Sequence, residues 1–156
     1  MGYYYFYQTP IGKLYIVEKD NKICAISTKY NISKLEYTET NLIRNAYNEL
    51  CEYFQGNRKI FDIPIMLEGT NFQLKVWNAL LKIPYGEKKT YKDIAKIINN
   101  SMAYRAVGNA CNKNPILIII PCHRIIGSNN LLTGFVLGTG IKRKLLNIEA
   151  GLCIRN

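Results

Sequence analysis

The feature that most constrains the fold of this chain is a boundary near residues 66–69, where strand-rich patterning gives way to helices. Before it, short aromatic and β-branched stretches at 3–8, 13–18 and 23–27 are separated by Thr9-Pro10-Ile11-Gly12 and Lys19-Asp20-Asn21. That spacing predicts three strands joined by tight turns, an antiparallel meander. Leu42, Ile43, Ala46, Tyr47, Leu50 and Phe54 then recur at helical spacing, and Gly56 is placed to stop the helix. Residues 61–65 read as a sheet edge, because Pro64 cannot donate to a ladder. After the boundary, Thr70 and Gln73 form a capping-box sequence, and Phe72, Val76, Ala79, Leu80 and Ile83 line one helical face. Pro84-Tyr85-Gly86 breaks that helix. Thr90 can cap a second, carrying Ile94, Ala95, Ile97 and Ile98, and after Asn99-Asn100 a third spans about 102–112. Two short helices across a polar turn, the second rich in small residues, form a helix-turn-helix pattern. The expected division is an α/β part over 1–66 and a mostly helical part over 67–156.

Charge follows the same boundary. Residues 1–65 hold eight Lys/Arg against seven Asp/Glu, a net of +1, whereas residues 66–156 hold thirteen against four, a net of +9. A lysine-rich proteome would raise both halves, so the concentration in the second points to a polyanionic partner, most often nucleic acid. The longest apolar run, Ile116-Leu117-Ile118-Ile119-Ile120, is far short of a membrane span, and the N-terminus lacks a signal-peptide pattern. A cytoplasmic protein with no membrane partner is expected. The five cysteines are widely spaced, no CxxC occurs, and there is a single histidine. Free thiols in a reducing compartment fit better than a zinc site, so no metal and no cofactor is expected.

The apolar run leads directly into Pro121-Cys122-His123-Arg124. A thiol becomes a strong nucleophile as the thiolate, which a neighbouring base or cation favours, and here His123 and Arg124 follow at once. A cysteine after an apolar run is more often an inert core residue. In an extended segment neighbouring side chains diverge, so His123 needs a turn or a bridging group to reach Cys122. The third helix carries Tyr104-Arg105-Ala106-Val107-Gly108-Asn109-Ala110. Gly108 costs about 1 kcal/mol of helix propensity relative to alanine, so close approach to another surface should compensate. That surface is either a neighbouring helix or DNA, with Arg105 as a long cation projecting from a small-residue face.

Taken together, these residues resemble the O6-alkylguanine-DNA alkyltransferase family, the methylated-DNA–protein-cysteine methyltransferases. The resemblance covers residues 61–156 and is weaker over 1–60. It rests on Asn71-Phe72-Gln73-Leu74-Lys75-Val76-Trp77, on 104–110, on Asn114-Pro115 leading to Pro121-Cys122-His123-Arg124-Ile125-Ile126, and on Lys142-Arg143-Lys144-Leu145-Leu146 with Glu149 behind it. It implies an α/β fold: an N-terminal ribonuclease H-like subdomain packed on a mostly helical subdomain with a helix-turn-helix. It also implies direct reversal of DNA damage, in which a monomer takes an alkyl group from O6 of guanine in double-stranded DNA irreversibly onto Cys122. O4 of thymine is a further candidate.

The resemblance also implies roles. Cys122 is the acceptor, His123 acts on it through a water, and Glu149 holds the far ring nitrogen of His123. Tyr91 donates to the departing base, and Asn114 helps set the thiol. Cys111 lines the pocket, and backbone groups of Cys122 and Ile125 read the guanine edge. Arg105 fills the gap left by a flipped base, while Ala106, Gly108 and Ala110 let the helix sit in the minor groove. Three departures stand out: Phe135 and Val136 replace a tyrosine followed by a small or polar residue, and Tyr104 occupies a position usually small. Phe135 removes one possible hydrogen bond to O6, which bears on alkyl-size preference, and Tyr104 either stacks on DNA or packs beneath the helix. The rival from another class is a non-enzymatic lesion-binding protein that flags alkylated bases; the presence of Cys122 argues against it.

Overall fold

The computed structural model describes residues 2–129, 132, 134, 135 and 137–152. It divides into two compact units. Of the described residues, the first contains 2–68 together with Pro115–Leu117, and the second contains Gly69–Asn114 and those of Ile118–Leu152. No helix among the described residues is long and apolar enough to cross a membrane.

In the first unit, β1 (Gly2–Thr9), β2 (Gly12–Lys19) and β3 (Lys22–Ser27) form the expected meander. The β2–β3 turn places Asp20 and Asn21 at φ 50° and 60°. Asp and Asn are the non-glycine residues that best tolerate this region, and a turn with both central residues there matches the twist of the flanking strands. At the β1–β2 turn Thr9 Oγ1 donates to the Gly12 carbonyl at 2.6 Å, and Gly12 takes φ 101°. A short strand not expected from the pattern, β4 (Leu35–Tyr37), pairs parallel with β1, giving the order β3-β2-β1-β4. Three residues with only Leu35 partly covered leave no periodicity to read.

Helix α1 (Asn41–Phe54) buries Ile43, Ala46, Leu50 and Tyr53. Thr40 caps it by accepting from the Ile43 amide at 3.1 Å, and its hydroxyl donates to the buried carboxylate of Glu18. Gly56, at φ 78°, ends it: the Gly56 amide reaches the Tyr53 carbonyl and the Asn57 amide the Glu52 carbonyl. Those paired bonds satisfy the last carbonyls of the helix.

The outer edge of β3 is covered by two single bridges. Ile23 pairs with Ile65 and Ile26 with Ile116, both parallel. In each case a proline carbonyl, that of Pro64 or Pro115, accepts the strand amide at 2.9 Å. The missing proline N–H is not needed there. The apolar run therefore does not continue as one extended segment. Ile116 and Leu117 belong to this edge, and at Ile118 the backbone turns through φ 73°. For a β-branched residue that is a costly conformation, roughly 1–3 kcal/mol.

The second unit is helical. It comprises α2 (Asn71–Leu81), β5 (Lys89–Thr90), α3 (Tyr91–Ile97), α4 (Tyr104–Asn112), β6 (Ile125–Ile126) and α5 (Thr139–Glu149). Both threonine caps form boxes: Thr70 with Gln73, and Thr90 with Asp93. The Trp77 indole donates to the Ala110 carbonyl at 2.9 Å, fixing α2 against α4. A Cβ on Gly69 would stand 2.7 Å from both the Trp77 ring and Gln73 Oε1, so glycine is required where the cap meets the indole. The parallel pair β5–β6 matches Lys89 to Ile125 and Thr90 to Ile126, placing the start of α3 beside the residues that follow Cys122.

Candidate active site

Cys122, His123 and Arg124 form a single 3₁₀ turn rather than the extended segment that the apolar approach suggests. The turn is closed by the Arg124 amide on the Pro121 carbonyl at 3.0 Å and the Ile125 amide on the Cys122 carbonyl. Near three residues per turn, consecutive side chains point about 120° apart, so Cys122 and His123 still diverge. All three side chains are nonetheless buried.

Around the thiol, Asn114 is the organising residue. Its side-chain amide donates one hydrogen to the Ile120 carbonyl at 2.7 Å and the other to Cys122 Sγ at 3.1 Å. One carbonyl fixes the amide, and the amide then presents a fixed donor to sulfur. Burial is the larger influence and pushes the Cys122 thiol up to about 11, against the Asn114 hydrogen bond and the Lys142 cation, which both favour the thiolate. Cys111, buried on α4, is pushed up to about 12 by burial and by the neighbouring Cys122, with Lys142 again opposing. Burial thus holds both thiols in the protonated form at neutral pH.

Behind the turn lies a second buried polar group, centred on Glu149. His123 Nε2 lies 2.5 Å from Glu149 Oε2. The other carboxylate oxygen accepts from Arg124 Nε at 2.7 Å and from the Gly86 amide at 3.0 Å, while Arg124 Nη1 donates to the Ile83 carbonyl at 2.7 Å. Burial opposes ionisation of Glu149, but hydrogen bonds from His123 and Arg124 and their charges prevail and hold it at about 2. Burial lowers the His123 pKa, and the Glu149 contact only partly offsets this. A neutral ring donating Nε2–H to a carboxylate leaves Nδ1 as the acceptor. Arg124, the cation next to the thiol in sequence, is directed to Glu149 and away from sulfur.

Lys142 is the residue whose role the sequence pattern alone left unread. It lies fully buried on α5, seven residues before Glu149 on the same inward face as Leu145. Burial lowers its pKa, against the pull of Cys122 and Cys111, and its Nζ stands 5.9 Å from the Tyr91 ring centroid. Its 142, 145, 149 spacing was the available signal: a lysine on the apolar face of an amphipathic helix.

The remaining predicted residues fall into two groups. Tyr91 begins α3, and its hydroxyl donates to the Gly134 carbonyl at 3.3 Å. Ile125 is fully buried in β6. The Cys122 amide is spent on the Ile120 carbonyl and the Ile125 amide on the Cys122 carbonyl, so any reading of a base edge by these residues falls to carbonyl oxygens. Phe135 is half-buried with its carbonyl accepting from Gly138, and Val136 lies outside the described residues.

On α4, Arg105 and Ala106 are exposed and Tyr104 and Gly108 half-exposed. Ala110 does not join them: it is 3% exposed, because its turn of the helix faces Trp77. Asn109 stands on the open face instead. A Cβ on Gly108 would meet only the Tyr91 ring, at 3.8 Å, an ordinary contact. Packing within the unit does not demand this glycine. Among the described residues no cluster of His, Cys, Asp or Glu could hold a metal ion.

Comparison with known proteins agrees over the whole chain. Residues 2–67 match the ribonuclease-like domain of 6-O-methylguanine DNA methyltransferase, and residues 71–151 its DNA binding domain. The constitutive methylated-DNA–protein-cysteine methyltransferase of Bacillus subtilis is 43% identical over 158 residues, covering 96% of each chain. The methylated-DNA–protein-cysteine methyltransferase of Methanosarcina acetivorans is 44% identical over 97% of this chain and 99% of its own. The crystal structure of Mycobacterium tuberculosis OGT in complex with DNA superposes with a TM-score of 0.91 at 37% identity, covering 97% of this chain and 94% of that one.

Proposed function

The chain belongs to the 6-O-methylguanine DNA methyltransferase family, and from that premise we propose how its residues carry out the reaction. It is a DNA-repair protein that transfers an alkyl group from damaged DNA irreversibly to its own cysteine, one event per molecule. The acceptor is Cys122 and the substrate is O6-alkylguanine in double-stranded DNA, bound by a monomer, with O4-alkylthymine as a second candidate. The observation that carries this reading is the buried turn itself, with its thiol held by Asn114 and its imidazole held by Glu149.

The alkylated base is extruded from the duplex toward Cys122, and Arg105 fills the space it leaves. The thiol proton passes through a bridging water to His123 Nδ1, and the imidazolium is stabilised by Glu149. Lys142 stabilises the negative charge on sulfur as it develops. The thiolate attacks the alkyl carbon opposite O6, the C–S bond forms, and the C–O6 bond breaks. The departing guanine takes a proton from the Tyr91 phenol, which regains one from solvent as the His123 imidazolium releases the one it took. Phe135 supplies no hydroxyl to O6, so leaving-group stabilisation rests more heavily on Tyr91. Cys111 is buried on α4 and serves as pocket wall, while the Asn114 side chain is directed to Cys122.

Intact-mass analysis after mixing with duplex DNA containing O6-methylguanine tests this reading. One methyl per protein, mapped to Cys122 and absent from Cys122→Ala, is expected. Turnover beyond one equivalent, or tight binding with no mass gain, would overturn it; the second outcome is that of a lesion-flagging protein.

A further inference from the structure

Pro84-Tyr85-Gly86 reads in the sequence only as the stop after α2. In the fold, the segment around it grips the residues behind the thiol turn. The Ile83 carbonyl accepts from Arg124 Nη1 at 2.7 Å, and the Gly86 amide donates to Glu149 Oε1 at 3.0 Å. Between these two contacts, Tyr85 reaches both partners' surroundings. The centroid of its half-buried ring lies 5.7 Å from the Arg124 guanidinium carbon, and its hydroxyl donates to the Ile148 carbonyl at 3.3 Å. Burial and the Glu149 carboxylate raise the Tyr85 pKa, with Arg124 opposing, so the phenol stays neutral and keeps the proton it donates. The reaction described above gives Tyr85 no task.

Glu149 is the last residue of α5. The final carbonyls of a helix lack intrahelical partners, and its last turn frays. A carboxylate on that turn drifts unless something outside the helix fixes it. Tyr85 ties the turn at the Ile148 carbonyl, and Gly86 ties the carboxylate itself. Arg124 has the complementary need. Its guanidinium is buried and directs Nε to Glu149 and Nη1 to Ile83. An aromatic ring beneath its flat face holds it without competing for those donors. A desolvated cation over an aromatic face interacts more strongly than one neutral hydrogen bond, so the ring outweighs the hydroxyl.

We propose that Tyr85 is a positioning residue for alkyl transfer, bridging Arg124 and the end of α5 so that Glu149 is held where it orients His123. The inference rests on the alkyl-acceptor reading and deepens it by naming what keeps the His123–Glu149 pair aligned. Tyr85 acts through Glu149 and Arg124 and carries no proton itself.

The test combines single-turnover kinetics with proton NMR. Each molecule accepts one methyl, so the final extent of transfer from excess duplex O6-methylguanine counts folded acceptor, and the rate constant is read independently of it. His123 is the only histidine in the chain, so its imidazole N–H gives a single downfield resonance set by the hydrogen bond to Glu149. Tyr85→Leu should lower the rate constant roughly a hundredfold, the scale of a misplaced catalytic group. The fall should be equal on duplex and on free O6-benzylguanine, and the resonance should move upfield. Tyr85→Phe keeps the ring and loses one hydrogen bond, so it should stay within about fivefold of the native rate with the resonance in place. An unchanged rate constant or an unchanged resonance in Tyr85→Leu would overturn the positioning role, even if the extent of transfer or the Tm fell. So would a Tyr85→Phe variant as slow as Tyr85→Leu, or a loss confined to duplex. Absence of transfer by the unaltered protein would instead overturn the alkyl-acceptor reading, while the resonance would still report on the clamp.

Discussion

The thiol turn and the outer face of α4 lie in the same unit but are built on opposite principles. Around Cys122 nearly every polar group has a fixed protein partner: Asn114 on sulfur, Glu149 on His123, and Arg124 and Gly86 on Glu149. On α4 Arg105 is exposed and Tyr104 half-exposed with cations over its ring, and the helix is thinned at Gly108. We propose that the first arrangement holds its geometry before the substrate arrives and that the second acquires its geometry from the substrate. Loss of a member should therefore damage both fold and chemistry in the turn, but binding alone on α4.

The strongest challenge to this contrast is Glu149→Gln. It leaves Arg124 and His123 buried against a neutral amide, so stability should drop by about 3–5 kcal/mol and the methyl-transfer rate by roughly 10²–10⁴-fold. Urea denaturation and single-turnover kinetics read the two losses, and a variant that is slow but fully stable would separate chemistry from scaffold. The same carboxylate sets an acid limit. Its pKa is depressed on folding from 4.5 to about 2, so its contribution is complete above 4.5 and is lost as pH falls toward 2. Glu149→Gln should lack that portion of the acid destabilisation.

Arg105→Ala probes the other side. The ratio of the rate on duplex O6-methylguanine to that on free O6-benzylguanine should fall by roughly 10–100-fold, the cost of leaving a flipped-out gap unfilled. An equal fall on both substrates would show that Arg105 acts on the chemistry and would dissolve the contrast. The smallest effect is expected from Gly108→Ala. The new methyl meets only Tyr91 at 3.8 Å, so the helix should gain up to about 1 kcal/mol while duplex affinity weakens several-fold. A fall in Tm would mean that the glycine serves internal packing after all.

Much of this was legible in the sequence, for reasons that differ by residue. Thr70 with Gln73 and the Asp20-Asn21 turn are local devices whose partners lie within a few positions, and the structure forms them where the pattern put them. The meeting of His123 with Glu149, twenty-six residues apart, was read only through family resemblance, since no periodicity links a turn to a distant helix end. That Ala110 lies buried beside Val107 and Cys111 was not legible, because small residues look alike in sequence and do not mark the inner face of α4. The division of the apolar run at Ile118 was hidden for a related reason: five consecutive apolar residues carry no mark of where one burial environment ends and the next begins.

The two prolines on the β3 edge bear on how such a protein survives in quantity. A molecule spent in a single event has to be kept in reserve, and an exposed strand edge is a template for self-association. Pro64 and Pro115 offer β3 their carbonyls while carrying no N–H of their own, and the opposite edge, β4, is only three residues long. With one flank covered by short bridged segments and the other only three residues long, the sheet offers little continuous edge to a second copy.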